Sequence, residues 1–166
     1  MNILALDLGT HTGFCHTTPL GGGFFAGTWN LATKKEIALW GRDRTARRKD
    51  PRIRRLFEKV FDVNPQPGVV VFEDVQFQTY TYQTQLWSSL RAAMWLAAPE
   101  KTIFEAVPVG TLKKFATGYD KADKDLMAKY LYQQFPEYRN FQLDDNGVDA
   151  IWLYKWAEKM LSRLAL

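Results

Sequence analysis

Residues 69–75, VVVFEDV, carry the strongest strand pattern in the chain. A continuous β-branched run of this kind is typical of a central strand that is buried on both faces. Residues 2–8, NILALDL, form a second short apolar run, which ends at Gly9-Thr10 and also predicts a buried strand. Because a strand buried on both faces needs cover on each side, the two stretches predict a sheet flanked by helices.

The segments around these two strands alternate between strand and helix patterns. Residues 13–18 and 23–31 are rich in aromatics and Thr and are separated by Gly21-Gly22-Gly23, which predicts two strands joined by a tight turn. Three strands in succession then open the sheet as an antiparallel meander. The spacing of apolar residues predicts the other elements, namely helices over 52–63, 84–98, 109–115 and 145–164, a strand over 102–107 and a helix start at 120–123.

The expected fold class is therefore α/β, a mixed sheet that is antiparallel at first and then parallel, flanked by helices, in one domain over residues 1–166. The hydrophobic fraction of 46% and the charged fraction of 24% argue against disorder. No apolar run reaches the ~20 residues of a membrane span, and the N-terminal MNILALDLG lacks the features of a secretory signal. Cys15 is the lone cysteine, which excludes an internal disulfide. We expect a cytoplasmic protein with no membrane partner.

Positive charge is concentrated in residues 42–55, RDRTARRKDPRIRR. This segment holds eight Lys or Arg and two Asp, a local charge of +6, whereas the whole chain carries +4. A patch of this kind suits a polyanionic partner, and the alternative is a solvated helix face. If DNA is the partner, the segment contacts phosphates without reading sequence. The residues expected to do so are Arg47, Arg48, Arg54 and Arg55.

Four acidic residues fall at positions where a lone charge is unexpected. Asp7 lies inside the first apolar strand, and Glu73 lies at the end of the most hydrophobic strand. Asp145 and Asp149 are four residues apart at the start of a buried helix, so they share one helix face. A carboxylate among apolar residues is costly unless it is paired or binds a cation. Each position therefore needs an explanation.

Singly, each of these residues has a structural explanation. Asp7 could cap the turn that follows it, Glu73 could form a salt bridge, and Asp149 could pair with a Lys. Asp145 could be a helix N-cap, a role that Asp144 or Asn146 could share. Together, the carboxylates indicate ligands for a hard cation, Mg²⁺ or Mn²⁺. Two such ions roughly 4 Å apart would suit phosphodiester hydrolysis.

The order of three motifs resembles the RuvC-type Holliday junction resolvases. These are ALDLGTHTGF in the first strand, VVVFEDVQF in the central strand and LDDNGVDAIWL at the last helix start. SLRAAMWLAA is similar to the family's helix after the central strand. VPVGTLKKFATGYDKADKDLMAKYL is similar to its stretch of strand, short helix, Gly-containing loop and basic helix start. The resemblance spans nearly the whole chain.

The resemblance implies an RNase H-like fold and a homodimer that nicks four-way or other branched DNA with Mg²⁺ or Mn²⁺, two ions per site. It implies metal ligands at Asp7, Glu73 and Asp149, with a fourth at Asp145 or Asn146. It also implies lysines near the scissile phosphate. Those expected to contact DNA are Lys113, Lys114, Lys121 and Lys124, with Lys124 counted among the catalytic residues.

The sequence departs from the family pattern in three places. The usual ending has two Asp three residues apart, but here that spacing from Asp149 falls on Asn146. Residues 42–55 are more basic than a minimal member needs. After Glu73, an aromatic that wedges into the junction would have to be Phe77 or Tyr80. These departures indicate a divergent member, of viral or mobile-element origin, and in a viral case the location would be the host cytoplasm.

Other functions share parts of the pattern. LDLGTHTG also resembles the first phosphate loop of actin-like and sugar-kinase ATPases, but those enzymes need two such domains, so we expect no nucleotide cofactor. A YqgF-like RNase H-fold protein acting on RNA and a catalytically inactive branched-DNA-binding module remain as alternatives. For the homodimer, the candidate interface is the helix over 84–98, with Trp87, Met94 and Trp95.

Overall fold

A mixed sheet lies at the centre of the computed structural model, which describes residues 1–42, 49–75 and 81–164. Within these residues the elements are, in chain order, β1 (Ile3–Asp7), β2 (His11–Thr17), β3 (Phe24–Asn30), α1 (Lys34–Arg42), α2 (Pro51–Phe61), β4 (Val69–Asp74), α3 (Thr81–Ala97), β5 (Ile103–Pro108), α4 (Val109–Thr117), α5 (Lys124–Gln134), a 3₁₀ helix (Pro136–Asn140) and α6 (Asp145–Leu164).

The strand order across the sheet is β3-β2-β1-β4-β5. β2 pairs antiparallel with both β1 and β3, whereas β4 pairs parallel with both β1 and β5. The three glycines between β2 and β3 form the expected turn, in which Gly21 and Gly22 have φ of 70° and 75°. The predicted fold class, an antiparallel meander followed by parallel strands, is therefore confirmed.

Each face of the sheet has its own apolar core, because side chains alternate along a strand. Ile3, Ala5 and Val71 belong to the core that α4, α5 and α6 cover, and we call this side the α6 face. Leu4, Leu6, Val70 and Phe72 belong to the opposite core, which also contains Leu56 of α2 and Leu90 and Met94 of α3. The two central strands are thus covered on both sides, as their sequences predict.

Helix α1 is an element that the sequence analysis did not predict. Its start carries a capping box, in which the Thr33 backbone N–H donates to Glu36 Oε2 at 2.8 Å and the Glu36 N–H donates to Thr33 Oγ1 at 3.2 Å. The start of α5 was predicted, and Asp123 caps it by accepting from the Leu126 N–H at 2.8 Å. Both starts thus follow ordinary capping chemistry.

Helix α6 is buried nearly all round its first half, which agrees with its apolar sequence. Ala150, Ile151, Trp152 and Leu153 are all at most 1% exposed. The Trp152 indole N–H donates to the Met127 carbonyl at 3.1 Å, so that α6 is joined to α5 in the core. Although α6 has 20 residues, no helix in the described ranges is long and apolar enough to cross a membrane.

Candidate metal centre

The register of β1 and β4 places two of the predicted ligands side by side. Leu6 lies beside Phe72 in the parallel pairing, and Asp7 and Glu73 are the residues that follow them. Side chains alternate, so Asp7 shares the face of Ala5 and Glu73 shares the face of Val71. Both carboxylates therefore lie at the carboxyl ends of central strands, on the α6 face.

Gly13 lets the start of α6 approach this pair. It lies opposite Asp7 in the β1–β2 register, and a Cβ at Gly13 would collide with the backbone carbonyl of Asn146. The first turn of α6 thus lies directly on β2, next to Asp7. Asp149 follows Asn146 by three residues on the same helix, near enough that its charge acts on both Asp7 and Glu73. The sequence analysis did not single out Gly13, although a glycine inside a strand is a known sign of close backbone approach.

Asp144 is the residue that caps α6. Its Oδ1 accepts from the Gly147 N–H at 3.0 Å, and the Thr28 hydroxyl of β3 donates to the same oxygen. Burial raises the pKa of Asp144, but these hydrogen bonds outweigh it and hold the pKa below its usual value. With Asp144 as the cap, Asp145 is exposed and its Oδ2 lies 3.3 Å from Lys124 Nζ.

Asp7, Glu73 and Asp149, which we call the inner carboxylates, are poorly solvated and repel one another. Burial, followed by repulsion from Glu73 and Asp149, raises the pKa of Asp7 to about 8. Burial and the Asp149 charge raise the pKa of Glu73 to about 7. Burial, with a contribution from Asp145, raises the pKa of Asp149 to about 6. These shifts place the three side chains within electrostatic reach of one another in a poorly solvated place.

The inner carboxylates make no hydrogen bond or ion pair with the residues that the structure describes. The turn after Asp7 is closed by Thr12 instead, whose hydroxyl donates to the Gly9 carbonyl at 2.7 Å and accepts from the Gly9 N–H at 3.3 Å. Asp7 is therefore not the cap of this turn in the structure. Half-buried carboxylates without a bonded partner are the kind of group that a cation stabilises.

The donor set suits a hard divalent cation in its chemistry. All of the candidate donors are oxygens, which Mg²⁺ and Mn²⁺ prefer. Over residues 1–42, 49–75 and 81–164, however, no three His, Cys, Asp or Glu side chains converge as a formed metal-binding group. The residues therefore fit a cation in donor type and desolvation, and the carboxylates would have to draw together to hold one.

Two of the predicted lysines lie at this site and two do not contribute to it. The charges of Lys113 on α4 and Lys124 on α5 both lower the pKa of Glu73 and of Asp149, and Lys124 also lowers that of Asp7. Lys114 and Lys121 are exposed and have no such effect on the carboxylates. The site thus combines three carboxylates with two cations that could hold a phosphate.

Of the four arginines predicted to contact DNA phosphates, Arg47 and Arg48 lie outside the described residues. Phe77 and Tyr80, the candidates for an aromatic wedge, also lie outside them. Arg54 is exposed and its Nε lies 2.7 Å from Glu58 Oε1. Arg55 forms a two-point ion pair with Glu36, at 2.7 and 3.0 Å, and donates to the Leu31 carbonyl at 2.8 Å. The charge of both arginines is thus partly compensated within the chain.

The predicted interface residues on α3 have different environments. Met94 is fully buried in the core with α2, which corrects its assignment to a surface that could meet a partner. Trp87 is half-buried against Phe72, with ring centroids 6.3 Å apart. Trp95 is 47% exposed, and the Arg91 guanidinium lies over both tryptophan rings at 4.5 and 4.9 Å. Trp95 is therefore the predicted residue that α3 presents at the surface.

Comparison with known proteins gives the fold a name. No protein-family model and no curated protein sequence matches this chain significantly. A structure of Thermus thermophilus RuvC is similar to it with a TM-score of 0.64 and 17% identity, covering 96% of each chain. A structure of T. thermophilus RuvC in complex with a Holliday junction substrate gives a TM-score of 0.69 and 18% identity, covering 92% of this chain and 90% of that one. The chain therefore has a RuvC-type, RNase H-like fold, as its motifs predicted.

Proposed function

We propose that this protein is a metal-dependent endonuclease that cleaves four-way (Holliday) or other branched DNA. The observation that carries the proposal is the group of three desolvated, unbonded carboxylates, Asp7, Glu73 and Asp149, which Lys113 and Lys124 approach. The fold supports it, because one similar structure is RuvC bound to a Holliday junction substrate.

Asp7, Glu73 and Asp149 would hold the cation or cations, Mg²⁺ or Mn²⁺. When bound, the metal supplies activation of a water and stabilisation of the leaving oxygen. Asn146 is half-buried beside β2, whereas Asp145 is exposed and paired with Lys124. Either residue could supply the fourth ligand. Asn146 lies next to Asp7, whereas Asp145 would first have to break its ion pair with Lys124.

The two lysines would bind the phosphate that is to be cut. Lys113 and Lys124 lie close enough to the carboxylates to lower their pKa values, so a phosphate held between them would lie against the carboxylate group. Lys124 would exchange Asp145 for the DNA, since a pair of two largely exposed side chains contributes little and is easily replaced. This step orients the strand and needs no proton transfer by the lysine.

We further propose that the protein acts as a cytoplasmic homodimer. Two symmetric cuts in a junction require two active sites related by a two-fold axis. On α3, Trp95 is 47% exposed and Leu96 is 78% exposed, which makes an apolar surface for a second copy. Trp is enriched at such interfaces.

The test is cleavage of labelled junction, flap, duplex and RNA–DNA hybrid substrates by the wild type and by Asp7→Asn and Glu73→Gln. We expect the wild type to cut the branched DNAs, and each variant to bind the junction as tightly or more tightly but to cut at least 100-fold more slowly. Glu105→Gln, which removes an exposed carboxylate of β5, is the matched control and should cut normally. Near-normal cleavage by folded Asp7→Asn would place the active site elsewhere.

The same assay separates the alternatives. Cleavage of the hybrid in preference to the junction would favour a YqgF-like protein that acts on RNA. Tight junction binding with no cleavage of any substrate in Mg²⁺ or Mn²⁺ would favour a catalytically inactive DNA-binding module.

A further inference from the structure

Arg52 belongs to the basic segment, yet its place in the fold is unlike that of a DNA-contacting arginine. It is 4% exposed, and among the residues that the structure describes it is the one charged residue that is buried. A buried cation is costly unless hydrogen bonds and a counter-ion satisfy it. Asp50 is the counter-ion, and its own side chain is only 9% exposed. A residue enclosed in this way cannot reach a DNA phosphate without leaving the fold.

The Arg52 guanidinium joins three segments of the chain. Its Nε donates to Asp50 Oδ1 at 2.9 Å and its Nη2 to Asp50 Oδ2 at 2.6 Å, which fixes the plane of the group at the cap of α2. Its Nη1 donates to Thr10 Oγ1 at 2.9 Å, and its Nη2 also donates to the Tyr82 hydroxyl at 2.6 Å. Arg suits this role because its planar fork presents several donors in fixed directions.

The two outer contacts lie in the elements that follow, in the chain, the two strands that carry the metal ligands. Thr10 is in the β1–β2 turn, three residues after Asp7, and Thr12 closes that turn from its other side. Tyr82 is in the first turn of α3, the helix that follows Glu73 in the chain. Arg52 thus connects the turn after one ligand strand with the helix that follows the other, from α2, which packs on the face of the sheet opposite the α6 face.

We propose that Arg52 is a positioning residue of the nuclease, which holds the β1–β2 turn and the start of α3 in the relative placement that cleavage needs. The proposal rests on the proposed function. Because Arg52 is enclosed and bonds to the turn that follows Asp7, its loss should slow the chemical step and leave DNA affinity in place. A small misplacement of reacting groups is enough, since an error of 1 Å can cost about 100-fold in rate.

Thr10→Val and Tyr82→Phe test this, because each removes one hydroxyl and leaves the Arg52–Asp50 pair. In each variant we expect single-turnover cleavage to fall at least 10-fold, while junction affinity in Ca²⁺ changes less than 3-fold. Thr10→Val should also weaken Mn²⁺ binding at least 3-fold by calorimetry. The matched control is Tyr154→Phe, which removes a tyrosine hydroxyl bonded to Thr17 at 3.2 Å and should change none of these.

A double-mutant cycle decides whether the effects pass through Arg52. Arg52→Lys keeps the charge but cannot make all three connections, so it should slow cleavage at least as much as either single variant. Adding Thr10→Val or Tyr82→Phe to Arg52→Lys should then slow it less than 2-fold further. If Arg52→Lys does not fold, Asp50→Asn replaces it in the cycle and is combined with Thr10→Val or Tyr82→Phe in the same way.

Four results would overturn the proposal. A fall of about one in the salt slope of DNA binding for Arg52→Gln, which removes the charge, would mean that the side chain contacts a phosphate. Slower cleavage in Tyr82→Phe but not in Thr10→Val would mean that Tyr82 acts on the DNA by itself. Normal cleavage by both variants would remove the positioning role and leave the nuclease proposal standing, whereas a wild type that cuts nothing would remove both.

Discussion

Neutralising Asp7 should stabilise the metal-free protein, and the gain should grow with pH. Burial and the charges of Glu73 and Asp149 raise the pKa of Asp7 from 3.8 to about 8 in the folded state. A group with a raised folded pKa contributes stability that is fully present below the unfolded pKa, near pH 4. That contribution is lost as the pH rises towards 8, because the unfolded chain gives up its proton first. Asp7→Asn keeps the shape of the side chain and has no proton to lose.

The size of the effect follows from the interval over which the two states differ in protonation. Between pH 3.8 and 7 the wild type loses about 3 pH units of stabilisation at 1.36 kcal/mol each, a ceiling of about 4 kcal/mol. Two effects reduce this value. Asp7 is only half-buried, and Glu73 and Asp149 can take up protons themselves, which weakens their repulsion of the Asp7 charge. We therefore expect Asp7→Asn to gain about 1–2 kcal/mol at pH 7, or roughly 2–8 °C in Tm for a chain of this size.

The assay is thermal unfolding in EDTA at pH 4, 5, 6, 7 and 8, with Glu105→Gln as the control for loss of an exposed carboxylate. The Tm difference between Asp7→Asn and the wild type should be near zero at pH 4 and largest at pH 8. Added Mg²⁺ should raise the Tm of the wild type and not that of the variant. A variant that is less stable than the wild type, by a margin that grows with pH, would refute the reasoning, because it would show that the fold stabilises the Asp7 charge.

Four further outcomes are expected. Gly13→Ala should displace the start of α6, lowering the Tm by several degrees and cleavage by at least 10-fold, and a structure with α6 in place would contradict this. Ca²⁺ should support junction binding without cleavage, and full cleavage in excess EDTA would exclude a metal mechanism. Trp95→Ala should weaken dimers in light scattering while Phe61→Ala, which is also exposed, should not, and a wild type that is monomeric both free and on DNA would remove the dimer. In the variant with Arg47, Arg48, Arg54 and Arg55 all changed to Ala, the salt dependence of DNA binding should flatten without a change of sequence preference. An unchanged slope would favour the alternative that this basic segment is a solvated helix face.

The strands and the inner carboxylates could be predicted because both depend on local pattern. Val69–Asp74 is apolar enough that a buried strand is the simple outcome, and a carboxylate at its end stands out against that background. The parallel register, which the sequence did not predict, then brings Asp7 beside Glu73, because Leu6 pairs with Phe72. Capping residues such as Asp123 are readable for the same reason, since a cap needs only its own helix.

The features that the sequence did not reveal depend on which surfaces meet in three dimensions. A glycine inside a strand can simply weaken that strand or can allow another backbone to approach it. For Gly13 the second holds, and the partner is the start of α6, more than 130 residues away in the chain. The residues at the end of α3 are apolar on several sides, so packing against α2, and not periodicity, decides that Met94 is inside and Trp95 outside. Arg52 stands in a run of arginines in the sequence, and only the fold shows that it is enclosed.

The contact of α6 with β2 has a consequence for the order of events during synthesis. Asp7 and Glu73 belong to the first half of the chain, but Asp149 and the cap at Asp144 that fixes it to Thr28 come near the end. Contacts of such long sequence separation form late and slowly. A ribosome-bound chain therefore carries an incomplete group of carboxylates until α6 has emerged, and under the proposed function the ability to cut DNA would arise only when α6 docks.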